Sequence, residues 1–192
     1  MRAVDAVGLA VELGQILESA KLPYAIGGAL ALGVHGVSRS TQDVDVNVFT
    51  ETAQLESLLD VLERNGVQVD REKAVREGLT DGVFFCWAGS TRIDVFLPSI
   101  DLSWEALRTR VSVTIQGSPT WFLSAELLCC FKLLFFRPKD LIDLERLVAT
   151  APTLDRSRVR ALMVEAMGED DERVRSWDDI VRRFAPPAPK LT

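Results

Sequence analysis

The chain has 192 residues, with 22 Lys+Arg against 28 Asp+Glu for a net charge of −6. That balance excludes a surface that holds nucleic acid by bulk phosphate attraction, and leaves room only for a local basic patch. Hydrophobic residues at 47% and charged residues at 26% fit a globular chain that buries a real core, as one domain or one domain with a helical extension.

In chain order, Val4, Val7, Val11, Leu13, Ile16 and Leu17 predict a helix over 3–20. Asp5, Glu12 and Glu18 within it exclude a signal peptide. LPYAIGG, 22–28, reads as a short strand running into a double glycine, and ALALGVHG, 29–36, as a helix that stops at Gly36. An alternating strand follows over 44–49, then an amphipathic helix over 52–65 closed by Asn65-Gly66. Strands are predicted at 67–70, 82–87 and 91–97, the last two joined by the turn Ala88-Gly89-Ser90. Residues 101–110 read as helix and 111–115 as an edge strand.

From Ser124 onward the pattern is helical. Ser124 with Glu126 suits an N-cap, Pro138 suits the first turn of a second helix, and 155–167 and 170–184 follow. The stretch 186–192 predicts a disordered tail. The longest greasy run, Leu127 to Phe136, is about half a bilayer span and is broken by Lys132. No membrane span and a cytoplasmic location are therefore expected. Cys86, Cys129 and Cys130 lack metal-type spacing and read as reduced core thiols. The expected organisation is an α/β (α+β) core over 1–120 and a helical region over 121–185.

HGVSRSTQDVDVNVF, 35–49, places Asp43 and Asp45 one residue apart inside an otherwise apolar strand. Residues two apart on a strand point the same way, so Asp43, Asp45 and Asn47 share one face and Val44, Val46 and Val48 the core face. In TRIDVFL, 91–97, the same parity sets Asp94 with Arg92 and Phe96. If the two strands are neighbours, three carboxylates converge, and they repel unless a cation or partner sits between them. Such a donor set suits a hard divalent cation, most simply magnesium, which completes its shell with substrate phosphates. That points to phosphoryl or nucleotidyl transfer.

Each piece has a plainer reading: a chance Asp-x-Asp, an Asp94 paired with Arg92, an ordinary Gly27-Gly28 turn. The order strand, Gly-Gly, helix, Asp-x-Asp strand argues for a site, because glycines let backbone N–H groups approach phosphate oxygens at a helix start.

Other residues carry less. His35, the single histidine, is expected to cap backbone groups at a helix end. Arg39, ahead of the Asp-x-Asp, suits either a phosphate clamp or exposed solvation. Lys132 lies within an apolar helix run and must snorkel or reach a partner. Asp140 and Asp143, among Arg137, Lys139, Glu145 and Arg146, suit a pocket or a solvated helix face. The arginines from Arg156 to Arg183 alternate with acids and read mainly as surface pairs. The four tryptophans are too dispersed to make a stacking platform.

IGGALALGVHGVSRSTQDVDVNVF, 26–49, resembles the signature of the DNA polymerase β-like nucleotidyltransferase superfamily. Its wording, Gly-Gly-x-Ala…His-Gly…Arg-x-Thr-x-Asp-Val-Asp, is most similar to the AbiEii-type and MenT-type nucleotidyltransferase toxins. FKLLFFRPKDLIDLERLV, 131–148, adds to the likeness, which runs from 22 to 148. The resemblance implies a nucleotidyltransferase-type mixed sheet flanked by helices, followed by a C-terminal helical region. It also implies that Gly27 and Gly28 hold the triphosphate and that Asp43, Asp45 and Asp94 ligate two magnesium ions. Lys132 would contact triphosphate oxygens, and Asp143 or Asp140 would complete the pocket. Here Ala-Leu follows the Gly-Gly pair in place of a polar residue, so phosphate binding would lean on backbone and Lys132.

The function implied is magnesium-dependent transfer of a nucleoside monophosphate from a nucleoside triphosphate, ATP among them, to an acceptor hydroxyl with loss of pyrophosphate. The acceptor would be tRNA, under control of a cognate antitoxin protein. A small-molecule transferase of the antibiotic-modifying kind and a non-catalytic regulatory domain are the alternatives.

Overall fold

A computed structural model describes residues 5–186. The chain folds as α1 (Ala6–Ser19), β1 (Tyr24–Ile26), α2 (Gly28–Val34) and β2 (Val44–Val48), then a short 3-10 turn (Thr52–Gln54) and α3 (Leu55–Arg64). Next come β3 (Gln68–Val69), α4 (Arg71–Thr80), β4 (Val83–Ala88), β5 (Thr91–Phe96), α5 (Asp101–Thr109), β6 (Val111–Ile115) and β7 (Ser118–Phe122). Four helices close it: α6 (Ala125–Phe135), α7 (Pro138–Thr150), α8 (Arg156–Met167) and α9 (Glu172–Phe184).

The strands form one seven-stranded mixed sheet in the order β3-β4-β5-β2-β1-β7-β6. β2 pairs parallel with β5 and antiparallel with β1, and β1 pairs parallel with β7. The apolar faces of β2 (Val44, Val46, Val48) and β5 (Ile93, Val95) are buried in one core with Leu9, Leu13 and Leu17 of α1 and Leu55, Leu58 and Leu62 of α3. Helical ends are held as the sequence suggests: Ser124 accepts from Leu127 N–H, and Pro138 opens α7.

Two elements carry no sequence prediction. α4 buries only Ala74 and Gly78, so a charged surface helix leaves little 3.6-residue apolar pattern to read. β7 contains Pro119, opposite Thr114, and proline argues against a strand in a sequence reading. It forms because Gln116 and Gly117, both at positive φ, close a two-residue hairpin with β6. β7 runs from 118 to 122, so the expected boundary at 120 falls inside a strand of the sheet. Of the two expected terminal features, residues 3–4 of the first helix and 187–192 of the tail lie outside the described residues. Among the described residues no helix is long and apolar enough to cross a membrane.

Candidate active site

The parallel pairing of β2 with β5 sets Asp45 directly beside Asp94, and Asp43 lies immediately before β2. The three carboxylates are thus brought to one place by register alone. Thr41 shapes the approach to β2: its hydroxyl donates to the Asp43 carbonyl (3.1 Å) and accepts from the Asp43 N–H (3.2 Å).

Burial pushes the Asp45 carboxyl above the ordinary aspartate range, and the neighbouring Asp94 charge adds to it. Burial also raises Asp94, against the lowering effect of Arg92. Arg92 is the counter-charge in reach: its Nη2 lies 3.0 Å from Asp94 Oδ2 and 3.4 Å from Asp43 Oδ2, and its Nε 2.7 Å from Asp94 Oδ1. That last contact lacks hydrogen-bond geometry, and Asp94 Oδ1 is a buried oxygen with no hydrogen-bond donor.

The glycine pair has two distinct tasks. Gly27 spends its N–H on the Asp45 carbonyl (2.9 Å), so that donor serves the sheet and not a ligand. Gly28 opens α2, where the first N–H groups have no intrahelical acceptor. It sits at φ +54°, and a Cβ there would fall 1.8 Å from Asp45 Oδ2. The second glycine therefore makes room for the Asp45 carboxylate.

Lys132 is 4% exposed and does reach a partner. Its ammonium donates to Asp143 Oδ2 at 2.7 Å and to Asp140 Oδ1 at 3.4 Å. Asp143 also receives Arg39 Nε at 3.4 Å, and Asp140 receives Arg137 Nε at 2.6 Å. Asp140 and Asp143 are both buried, and the pair joins α6 to α7 behind the carboxylates. His35 Nε2 lies 2.8 Å from the Leu123 carbonyl and so ties the end of α2 to the entry of α6.

The carboxylates and the glycine pair open onto one cavity of about 340 Å³. Gly27, Gly28, Arg39, Asp43, Asp45, Asp94 and Lys132 all line it. Asp143 stands behind Lys132 and does not line it. Sequence reasoning did not assign Asp81, Arg137 and Lys139 to this wall, nor the apolar wing formed by Phe96, Leu97, Ile100, Leu134 and Phe135. Only Phe96, by sharing the parity of Asp94, carried a signal. Four aspartates therefore stand beside five basic side chains in a chain that is acidic as a whole, a charge pattern that suits both cations and phosphates.

No protein-family model matches the sequence, and no curated protein matches it. Solved structures do. The antibiotic-resistance factor ANT(2″)-Ia superposes with a TM-score of 0.56 at 17% identity, over 83% of this chain and 88% of that one. The crystal structure of ANT(2″)-Ia with adenylyl-2″-tobramycin gives 0.54 at 18% identity, over 93% and 98%. The lincosamide antibiotic adenylyltransferase LnuA, lincomycin-bound, gives 0.49 at 13%, over 74% and 94%. The chain has the nucleotidyltransferase fold.

Among the described residues, no three His, Cys, Asp or Glu side chains stand as a preformed metal cage. The chemistry of the donors nevertheless fits magnesium. They are hard carboxylate oxygens, one of them without a hydrogen-bond donor; two of the three carboxyls are raised by burial, and Gly28 keeps room for that of Asp45.

Proposed function

We propose that this protein is a magnesium-dependent nucleotidyltransferase that moves a nucleoside monophosphate from a nucleoside triphosphate to an acceptor hydroxyl and releases pyrophosphate. The observation that carries the reading is the register of Asp45 on Asp94, with Gly28 stripped of a side chain to admit the Asp45 carboxylate.

Asp43, Asp45 and Asp94 would hold two magnesium ions. When bound, these supply charge stabilisation for the attacking oxygen and for the leaving pyrophosphate. The chain's own residues then orient and neutralise. The Gly28 N–H and the basic side chains Arg39, Arg137 and Lys139 would face the triphosphate. Asp94, whose carboxyl is raised by burial, would accept the proton of the acceptor hydroxyl. Lys132 would act from behind, through Asp143 and Arg39, and not as a direct phosphate ligand, because its ammonium is held by two aspartates.

For the acceptor, the Gly-Gly…Asp-Val-Asp wording supports a tRNA-modifying toxin of the AbiEii or MenT kind, restrained by an antitoxin. The second reading is a small-molecule transferase, favoured by the fold shared with ANT(2″)-Ia, whose complex holds adenylyl-2″-tobramycin. The cavity's apolar wing, with Asp81 as its one added carboxylate, offers little to a polycationic aminoglycoside and supports an acceptor with a planar or apolar face.

The test offers each α-labelled nucleoside triphosphate with magnesium and three acceptor sets: total RNA, mixed protein, and an aminoglycoside and lincosamide panel. Asp45→Asn serves as the blank. Label in a small-RNA band supports the first reading, and label on a drug the second.

A further inference from the structure

Arg92 stands in an unusual place for a basic residue. It shares a strand face with Asp94, and its guanidinium spans the gap from Asp94 to Asp43, within 3.0 Å of one and 3.4 Å of the other. Three other basic residues of the wall have partners of their own, Lys132 between Asp140 and Asp143, Arg137 on Asp140 and Arg39 on Asp143, and Lys139 acts on Asp45 and Asp94 only through its charge, without an ion-pair contact among the described residues. Arg92 therefore supplies the positive charge that three converging carboxylates need in order to fold side by side.

The same contacts are built to be given up. The Arg92 side chain is 44% exposed, and solvent-exposed ion pairs contribute little. Its contact to Asp94 Oδ1 is short but misaligned, which leaves that oxygen without a hydrogen bond. The guanidinium carbon also lies 5.3 Å from the centre of the Phe85 ring, which sits opposite Asp94 on β4, so Arg92 keeps an aromatic partner when the acids are taken up by a cation.

We propose that Arg92 is an internal counter-ion of the carboxylate cluster, which a divalent cation must displace from Asp43 and Asp94 in order to bind. The proposal rests on the nucleotidyltransferase reading only for the claim that these acids hold a cation. Arg92 is a positioning residue by this account. It keeps the cluster folded without metal and sets a penalty on metal binding that the bare carboxylates would not have.

The test is titration of Mn²⁺ into the full-length, metal-stripped, nucleotide-free protein, followed by electron paramagnetic resonance. The wild type is compared with Arg92→Gln, Arg92→Lys and Asp45→Asn, and the metal-free melting temperature of each is recorded. Arg92→Gln is expected to tighten Mn²⁺ binding about fivefold, the effect of removing one competing ion pair of about 1 kcal/mol, while lowering the metal-free melting temperature. Arg92→Lys keeps the charge without the fork and should lie between the two, and it serves as the measured variant if Arg92→Gln does not fold. A residue with a purely structural role would lower the melting temperature without tightening metal. Equal Mn²⁺ affinity in wild type and both Arg92 variants, with binding lost in Asp45→Asn, overturns the proposal and leaves the metal site standing. No Mn²⁺ binding in any variant overturns both.

Discussion

Gly28 and Asp45 touch in a way that leaves no space for a side chain at the glycine. A Cβ there would fall 1.8 Å from Asp45 Oδ2 and 2.5 Å from its Cγ, at a backbone angle of φ +54°. Gly28→Ala is therefore expected to strain the backbone and to push the Asp45 carboxylate from its place, at a cost of about 1–3 kcal/mol. If that displacement is the cause, the same substitution made in an Asp45→Ala background loses clearly less stability. Equal losses in both backgrounds, read by urea unfolding, would leave backbone strain as the whole effect.

Asp45→Asn should stabilise the metal-free protein even as it removes transfer. Burial and the adjacent Asp94 charge both disfavour the ionised Asp45, and an amide of the same shape removes that repulsion. A gain of about 1 kcal/mol corresponds to roughly 2–4 °C in a domain of this length. Melting in a chelator reads it, and a fall in melting temperature would mean that the carboxylate's contact with the Gly28 turn outweighs the repulsion.

The buried ion group on α6 and α7 makes the opposite prediction. Lys132→Met leaves Asp143 and Asp140 with only Arg39 and Arg137 as partners, and removing one partner of a buried pair costs about 3 kcal/mol or more. The melting temperature should drop by roughly 6–12 °C, and Lys132→Met with Asp143→Leu should recover much of it. A direct phosphate ligand at Lys132 would behave otherwise, with little change in melting and a large loss of nucleotide binding.

The same group sets the acid limb of stability. Burial pushes Asp140 up, but its hydrogen bond from Arg137 and the Lys132 charge outweigh burial and hold the carboxyl below its ordinary range. A carboxyl depressed in the folded state adds stability above its unfolded value, and that stability is lost as pH falls through the folded one. Asp140→Asn should flatten the decline below about pH 4, as followed by unfolding at a series of pH values. An unchanged acid limb would put the decline on other carboxylates.

The site was largely legible because strand parity is local: once Asp43, Asp45 and Asp94 fall on the same faces, only the neighbouring of β2 and β5 remains to be supplied by the fold. The two tasks of the glycine pair were not legible. That Gly27 donates to the Asp45 carbonyl, while Gly28 clears space for its side chain, depends on three-dimensional contact and not on spacing. Lys132 could be recognised as needing a partner from its apolar neighbours, but the helix turn that brings Asp140 and Asp143 to it starts at Pro138 and could not be measured from sequence. The apolar wing is assembled from β5, the segment after it and the end of α6, so no stretch of sequence displays it. α4 and β7 were missed for reasons of composition, a charged helix with a thin buried face and a strand that contains proline.

The central claim is best met by a single transfer reaction: purified protein, each of the four α-labelled nucleoside triphosphates, magnesium, and total RNA beside the drug panel, run against Asp45→Asn. The account predicts label on one acceptor class, lost by at least a thousandfold on the order of a removed essential group in the variant, and pyrophosphate in equal amount. A folded wild-type protein that labels no acceptor and releases no pyrophosphate above the Asp45→Asn blank would contradict it.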